Sequence, residues 1–169
     1  MRLLFVDHVL ELVCRRRVVA ALTLSADEEV FALHFPANPV LPASMLMECF
    51  AQTATVLLEV SSGFTRKGLP GFIQNAKFRR PVKPGARLVI EMDVDQWNDE
   101  GAVLQGRATQ AGNRCAECTL GIVSAPLTDF YGPGHAGAYR TMYGRWLAGA
   151  ALDGFATHPL EELTRALAG

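Results

Sequence analysis

Two side chains suited to acid–base chemistry stand fourteen positions apart in the stretch His34–Glu59, HFPANPVLPASMLMECFAQTATVLLE: His34 and Glu48. A neutral imidazole is the usual general base near pH 7, and a carboxylic acid kept protonated is its natural complement. Glu48 is the more informative of the two. Met45, Met47, Cys49, Phe50 and Ala51 surround it with apolar neighbours, and desolvation there favours the protonated form that a general acid requires. Ser44, Glu48, Gln52, Thr55 and Glu59 recur at helical spacing and form one polar stripe on an otherwise oily cylinder. For Glu59, near the helix end, a face toward solvent or a subunit partner is the simpler expectation. A lone histidine is more often structural than catalytic, and His8, His135 and His158 are read that way. His34 differs because it is paired with Glu48 and precedes Pro36, Pro39 and Pro42, which stiffen the intervening loop as acid–base geometry demands. The free N–H groups near Ala43 and Ser44, at the start of the helix, add a positive dipole end that can polarise a carbonyl oxygen. Base, acid and carbonyl-polarising amides together describe proton abstraction next to a carbonyl, coupled to loss or gain of a β-hydroxyl.

These groups need a scaffold, and the periodicities supply one. Residues 3–13 and 17–25 are rich in Val and Leu and read as an opening hairpin across Arg15-Arg16-Arg17. Asp27-Glu28-Glu29 reads as a turn. The proline-interrupted segment before Ala43 is an ordered, extended loop. From Ala43 to about Ser61 the chain is apolar nearly all round, the mark of a buried helix, and Gly63 follows where a helix C-cap is expected. Residues 71–82, 87–97, 102–110 and 114–124 read as strands separated by turns. Those connections leave no room for crossover helices, which excludes a parallel sheet there. The expected architecture is α+β: about six antiparallel strands wrapped around one long central helix, each covering the other's apolar face. Residues 1–126 form that domain. Residues 127–169 are a C-terminal extension, helical or irregular and not a separate domain, with short helices expected at 139–151 and 159–167 and Thr157 as an N-cap.

The bulk properties narrow the function classes. The chain has 169 residues, half of them hydrophobic, and a formal net charge of -1, which suits one globular domain. No basic face implies nucleic acid. No run of roughly 20 apolar residues implies membrane insertion, and the N-terminus lacks the pattern of a signal peptide. Cys14, Cys49, Cys115 and Cys118 fit a reduced, cytoplasmic protein. Cys115 and Cys118 form a lone C-x-x-C, expected to be two ordinary strand residues pointing to opposite faces.

The run His34-Phe35-Pro36-Ala37-Asn38-Pro39-Val40-Leu41-Pro42-Ala43, continuing to Glu48 and Ala51-Gln52, resembles the signature of the (3R)-hydroxyacyl-[acyl carrier protein] dehydratases. That pattern is H-F-P-G-x-P-x-x-P-G followed by a helix carrying E-A-x-A-Q. Ala76-Lys77-Phe78-Arg79-Arg80-Pro81-Val82-Lys83-Pro84-Gly85 is similar to the family's A-x-F-x-R-P-V-x-P-G-D turn, and Phe5-Val6-Asp7-His8-Val9 to its opening strand. The resemblance spans roughly residues 3–125. It implies a hot-dog fold and the dehydration of 3-hydroxyacyl thioesters to trans-2-enoyl thioesters in fatty acid or related lipid or polyketide synthesis. It also implies homodimers, leaving open their assembly into a hexamer as a trimer of dimers, and catalytic His34 paired with Glu48 from the other subunit. By the same resemblance, amides at Phe35, Ala37 and Ala43 face the thioester carbonyl and Gln52 orients Glu48. No metal or cofactor is implied, because the substrate arrives on the phosphopantetheine of acyl carrier protein.

The sequence departs from the pattern at three places. Ala37 and Ala43 stand where the family has glycine, each adding a methyl where close backbone approach is favoured. The family's preceding helix and its P-H-R-x-P-F segment have no match. Residues 127–169 have none either, and Phe130, Tyr131, Tyr139, Tyr143, Trp146 and Phe155 are available there to cover the sheet or to bind a partner. These departures suggest a specialised paralogue. Two other readings remain: a non-catalytic hot-dog subunit that binds acyl chains or a carrier protein, and an acyl thioesterase.

Overall fold

The computed structural model describes residues 4–166; residue 3 and Leu167, included in the expected first strand and last helix, lie outside that range. β1 (His8–Val13) and β2 (Arg17–Thr23) form the expected antiparallel hairpin. The other strands are β3 (Arg66–Phe78), β4 (Arg87–Asn98), β5 (Gly101–Gln110), β6 (Asn113–Pro126) and β7 (Ala151–Asp153). They form one sheet in the order β3-β6-β5-β4-β2-β1-β7. The inward faces show the strand period of two: Leu88, Ile90 and Met92 on β4, and Leu104 and Ala108 on β5, are buried. On the outer face of β2, Arg17 pairs with Asp93 at 2.6 Å and Glu91 at 2.7 Å.

The sheet wraps α2 (Ala43–Ser61), whose limits match the apolar stretch. By length and hydropathy this helix is apolar enough to cross a membrane, although no such run was expected. In the fold, 12 of its residues are buried in the core. Its C-terminus follows from Gly63, which takes φ +62. The Gly63 amide donates to Val60 O at 3.1 Å and the Phe64 amide to Glu59 O at 2.8 Å, a Schellman closure with Phe64 buried beneath it. Phe50 lies on β5 because Gly106 has no side chain. A Cβ there would stand 2.8 Å from Phe50 Cδ1 and 3.0 Å from Met92 Sδ. Gly106→Val is therefore expected to cost about 1–3 kcal/mol through overpacking, read as a lower urea midpoint with an unchanged m-value.

Several features differ from the sequence expectation, first among them the hairpin strands, which span His8–Val13 and Arg17–Thr23 within the expected 3–13 and 17–25. A short helix, α1 (Glu29–Leu33), occupies residues expected to end a turn; one helical turn is too short for a period to register. β3 begins at Arg66, ahead of the expected 71, and ends at Phe78. Gly68, Pro70 and Gly71 mask its first half in sequence. Pro70 is tolerated because β3 is an edge strand with irregular register between Pro70 and Phe72. A seventh strand exists, and it is parallel: β7 pairs with β1 at Glu11, Leu12 and Val13. The exclusion of parallel pairing holds among β3 to β6, while the parallel strand comes from the C-terminal segment. Finally, Cys115 and Cys118 both turn inward, since the β5–β6 register slips at Ala108/Thr109 and rotates Cys115 back into the core.

The C-terminal segment continues through short 3-10 turns at Leu127–Asp129 and Pro133–His135, then α3 (Ala136–Trp146), β7 and α4 (Pro159–Ala166). α3 stops at Trp146, short of the expected 151, and Gly149 follows at φ +76. At the start of α4 it is His158 Nδ1 that accepts from the Leu160 amide, at 3.2 Å. Thr157, the expected cap, donates to Glu162 Oε1 at 2.7 Å. Tyr139, Tyr143, Trp146 and Leu163 are buried.

Candidate functional site

His34 closes α1, and its amide donates to Val30 O at 2.9 Å. Its ring Nδ1 lies 3.0 Å from Val40 O. A carbonyl only accepts, so the proton sits on Nδ1 and the Nε2 lone pair is left as a base. Val40 N donates back to His34 O at 2.8 Å, so one residue of the proline loop holds both backbone and ring of the histidine. The loop is pinned further along: Asn38 N reaches Phe35 O at 3.0 Å, Leu41 N reaches Val82 O at 2.8 Å, and Lys83 Nζ donates to Asn38 Oδ1. The rings of His34 and Phe35 stack at 4.1 Å.

Glu48 projects from α2 with one carboxylate oxygen fixed. Gln52 Nε2 donates to Glu48 Oε1 at 2.9 Å, and Gln52 Oε1 accepts from the Phe5 amide at 2.7 Å. Donor and acceptor ends of the Gln52 amide are both engaged, which sets its orientation and leaves the second Glu48 oxygen for other work. The first helical hydrogen bonds run from Met45 N and Leu46 N to Pro42 O. The amides of Ala43 and Ser44 stand ahead of them at the open, positive end of α2. Ala37 and Ala43 are absent from the non-glycine residues with positive φ, which are Arg15, Phe64, Asn75 and Ala111 among the described residues. Both alanines are exposed, so their methyls crowd nothing within the chain.

One protomer does not bring the pair together. Among the described residues no hydrogen bond or ion pair joins His34 to Glu48. Glu48 is exposed on the isolated chain, so the desolvation expected of it is not supplied by its own apolar neighbours, which point inward while Glu48 points out. Phe35 is 55% exposed and Leu33 73% exposed, leaving an apolar rim beside the histidine.

The sequence expectation for Glu59 is overturned. Its side chain is fully buried, and its carboxylate accepts from Tyr139 OH at 2.5 Å, from Tyr143 OH and from Lys67 Nζ at 2.5 Å. Burial, followed by the negative charge of Glu59, pushes both tyrosine hydroxyls well above the ordinary tyrosine range. The i, i+4 spacing of Tyr139 and Tyr143 marks one helix face, but nothing local connects that face with Glu59. Between α2, β3 and α3 lies a cavity of about 280 Å³, lined among others by Glu48, Gln52, Met142 and Trp146. Among the described residues no cluster of His, Cys, Asp and Glu has the arrangement of a metal site. Burial raises the Cys118 thiol to about 11 and the Cys115 thiol above its usual range.

Comparison with known proteins is consistent with this arrangement. The model of the FabA-like domain family matches residues 1–118. The chain is 39% identical over 119 residues to the 3-hydroxyacyl-[acyl-carrier-protein] dehydratase FabZ of Symbiobacterium thermophilum, covering 69% of this chain and 83% of that protein. It is 32% identical over 126 residues to the enzyme of the same name from Koribacter versatilis, covering 73% and 81%. Among solved structures, the dehydratase heterocomplex ApeI:P from Xenorhabdus doucetiae is similar at TM-score 0.52 and 21% identity, over 64% of this chain and 88% of that one. A hypothetical thioesterase protein with coenzyme A from Streptococcus pneumoniae is similar at TM-score 0.56 and 12% identity, over 70% and 85%. At these identities the structural likenesses establish the hot-dog fold.

Proposed function

The chain belongs to the FabA-like family, and from that membership we propose that it is a hydro-lyase. It dehydrates (3R)-hydroxyacyl thioesters, carried on the phosphopantetheine of acyl carrier protein, to trans-2-enoyl thioesters in fatty acid biosynthesis. The observation that carries the reading is the protonation state imposed on His34: Nδ1 donates to Val40 O, so Nε2 is free to take a proton. His34 Nε2 removes the C2 proton of the substrate. The charge that develops on the thioester oxygen is met by the Phe35 and Ala37 amides of the loop and by the Ala43 amide at the positive end of α2. Glu48, held by Gln52, enters protonated and passes its proton to the departing hydroxyl, which leaves as water. The proton on His34 then returns to Glu48 through solvent, restoring both groups. No cofactor enters this scheme.

The second subunit of a homodimer supplies the Glu48 that His34 needs and desolvates it. What supports this is the exposed edge strand β3, where Phe72, Ile73 and Phe78 are large, apolar and solvent-facing. A trimer of such dimers in the cytoplasm is the larger assembly the reading allows. A non-catalytic acyl binder is not favoured, since it has no use for an oriented acid and base, and a thioesterase is not favoured because the relatives that share 32–39% identity with this chain are dehydratases, while the thioesterase likeness, at 12% identity, extends only to the fold. The test is direct. Purified protein is expected to hydrate crotonyl and longer trans-2-enoyl thioesters on acyl carrier protein, with products read by mass spectrometry and no release of free thiol. Inertness toward carrier-protein and CoA thioesters of every length overturns the proposal.

A further inference from the structure

The cavity of about 280 Å³ beside α2 is walled by a part of the chain that lies beyond the family match, which ends at residue 118. We propose that the C-terminal segment forms the distal wall of this protein's acyl-chain pocket, with Met142 as the residue that sets how long a chain fits. The inference rests on the dehydratase reading for the identity of the thioester, and it goes further by naming what measures the chain.

Three observations support it. The proposed acid is in the lining: Glu48 and Gln52 border the cavity together with Ala51, Thr55 and Val56 of the same helix. From Glu48 to Val56 the helix rises roughly 12 Å, enough for an extended chain of roughly ten bonds at the advance of an extended backbone. The lining is also hydrocarbon where such a chain would lie, with Leu4, Leu69, Pro70, Met142 and Trp146 contributing to it. Polar groups elsewhere in the lining are already engaged, because Lys67 and the hydroxyls of Tyr139 and Tyr143 are bound to Glu59. Of the residues lining the cavity, Trp146 keeps a buried donor, Nε1, without a partner among the described residues, and the otherwise apolar lining suits an unbranched hydrocarbon chain. Finally, the wall is fixed. α3 is tied to α2 through Glu59, β7 is paired with β1, and Leu163 of α4 is fully buried. A wall anchored on both sides can measure length, where a mobile one would yield to any chain.

The experiment compares wild type, Met142→Ala and Met142→Phe on a series of trans-2-enoyl thioesters from four carbons upward. Met142 is only half-buried, so neither substitution strains the core. For wild type, kcat/KM is expected to rise with length and to fall about ten-fold beyond the chain that fills the cavity. Met142→Ala should move that fall to longer chains and Met142→Phe to shorter ones. A second readout needs no turnover: in a Trp97→Phe background, saturable quenching of Trp146 by saturated acyl thioesters reports chain entry. Unchanged length profiles in both variants, with four-carbon turnover intact, overturn the inference and leave the dehydratase reading standing. An inert wild type whose Trp146 quenching still follows the Met142 substitutions upholds the pocket and overturns the dehydratase reading. Absence of any Trp146 quenching by long-chain thioesters overturns the pocket.

Discussion

Replacing His34 with alanine is expected to lower hydration of trans-2-enoyl thioesters by about 10²–10⁴-fold, the range usual for loss of a general base. KM should change little, because the imidazole acts on the C2 proton and contributes little to holding the chain. The fold should survive. The substitution removes one part-buried hydrogen bond, from Nδ1 to Val40 O, while Val40 N still bonds to the backbone oxygen of residue 34. An unchanged thermal transition beside lost activity separates chemistry from unfolding. Mixing makes the result more specific. If the acid comes from the second subunit, inactive His34→Ala and inactive Glu48→Ala proteins unfolded and refolded together should recover about a quarter of wild-type activity, since random reassortment of a two-fold dimer gives half heterodimers with one intact site each. A site contained in one chain predicts no recovery. The isolated chain already leans toward the first outcome, as it leaves His34 and Glu48 unjoined and Glu48 exposed.

The largest stability effect is expected at Glu59. Glu59→Leu leaves two buried tyrosine hydroxyls and the Lys67 ammonium without their acceptor, a loss of about 3–5 kcal/mol by the precedent of broken buried pairs. For a chain of this size that lowers Tm by roughly 10 °C or more. The same cluster makes stability depend on pH on the alkaline side. Burial and the Glu59 charge hold Tyr139 and Tyr143 above the ordinary tyrosine range, whereas in the unfolded chain they ionise near pH 10. Below that pH both states keep the protons and the contribution is fully present. Above it the unfolded state releases them while the native state does not, so stability falls as pH rises, by up to about 1.4 kcal/mol per pH unit for each tyrosine. Urea midpoints between pH 8.5 and 11 should show this slope, and Tyr139→Phe with Tyr143→Phe should flatten it relative to wild type. Equal slopes in the two proteins would mean the hydroxyls are not buried against Glu59.

Much of the fold and of the proposed site was legible in the sequence, because the signals are local. The unbroken apolar run from Ala43 to Ser61 and Gly63 after it set α2 and its end. Alternation over residues 87–124 set three strands and their turns. Prolines between His34 and Ala43 marked a stiff loop, and helical spacing put Glu48 and Gln52 on one polar stripe, although that Gln52 orients Glu48 was implied only by the family resemblance. Each of these follows from neighbours within a few residues, where periodicity and backbone chemistry act. Other features could only be settled by the tertiary structure. Whether Glu59 faces water or the core depended on Tyr139 and Tyr143, 80 and 84 residues away. β7 depended on finding the open edge of β1, and the wall of the cavity on where α3 came to rest. Glu48, with the same helical stripe and the same apolar neighbours in sequence, stayed exposed, because α3 covers only the far end of that stripe. Burial is a property of what packs from elsewhere in the chain, and the helical period, which places Glu48 and Glu59 on one face, carries no record of which of them is covered.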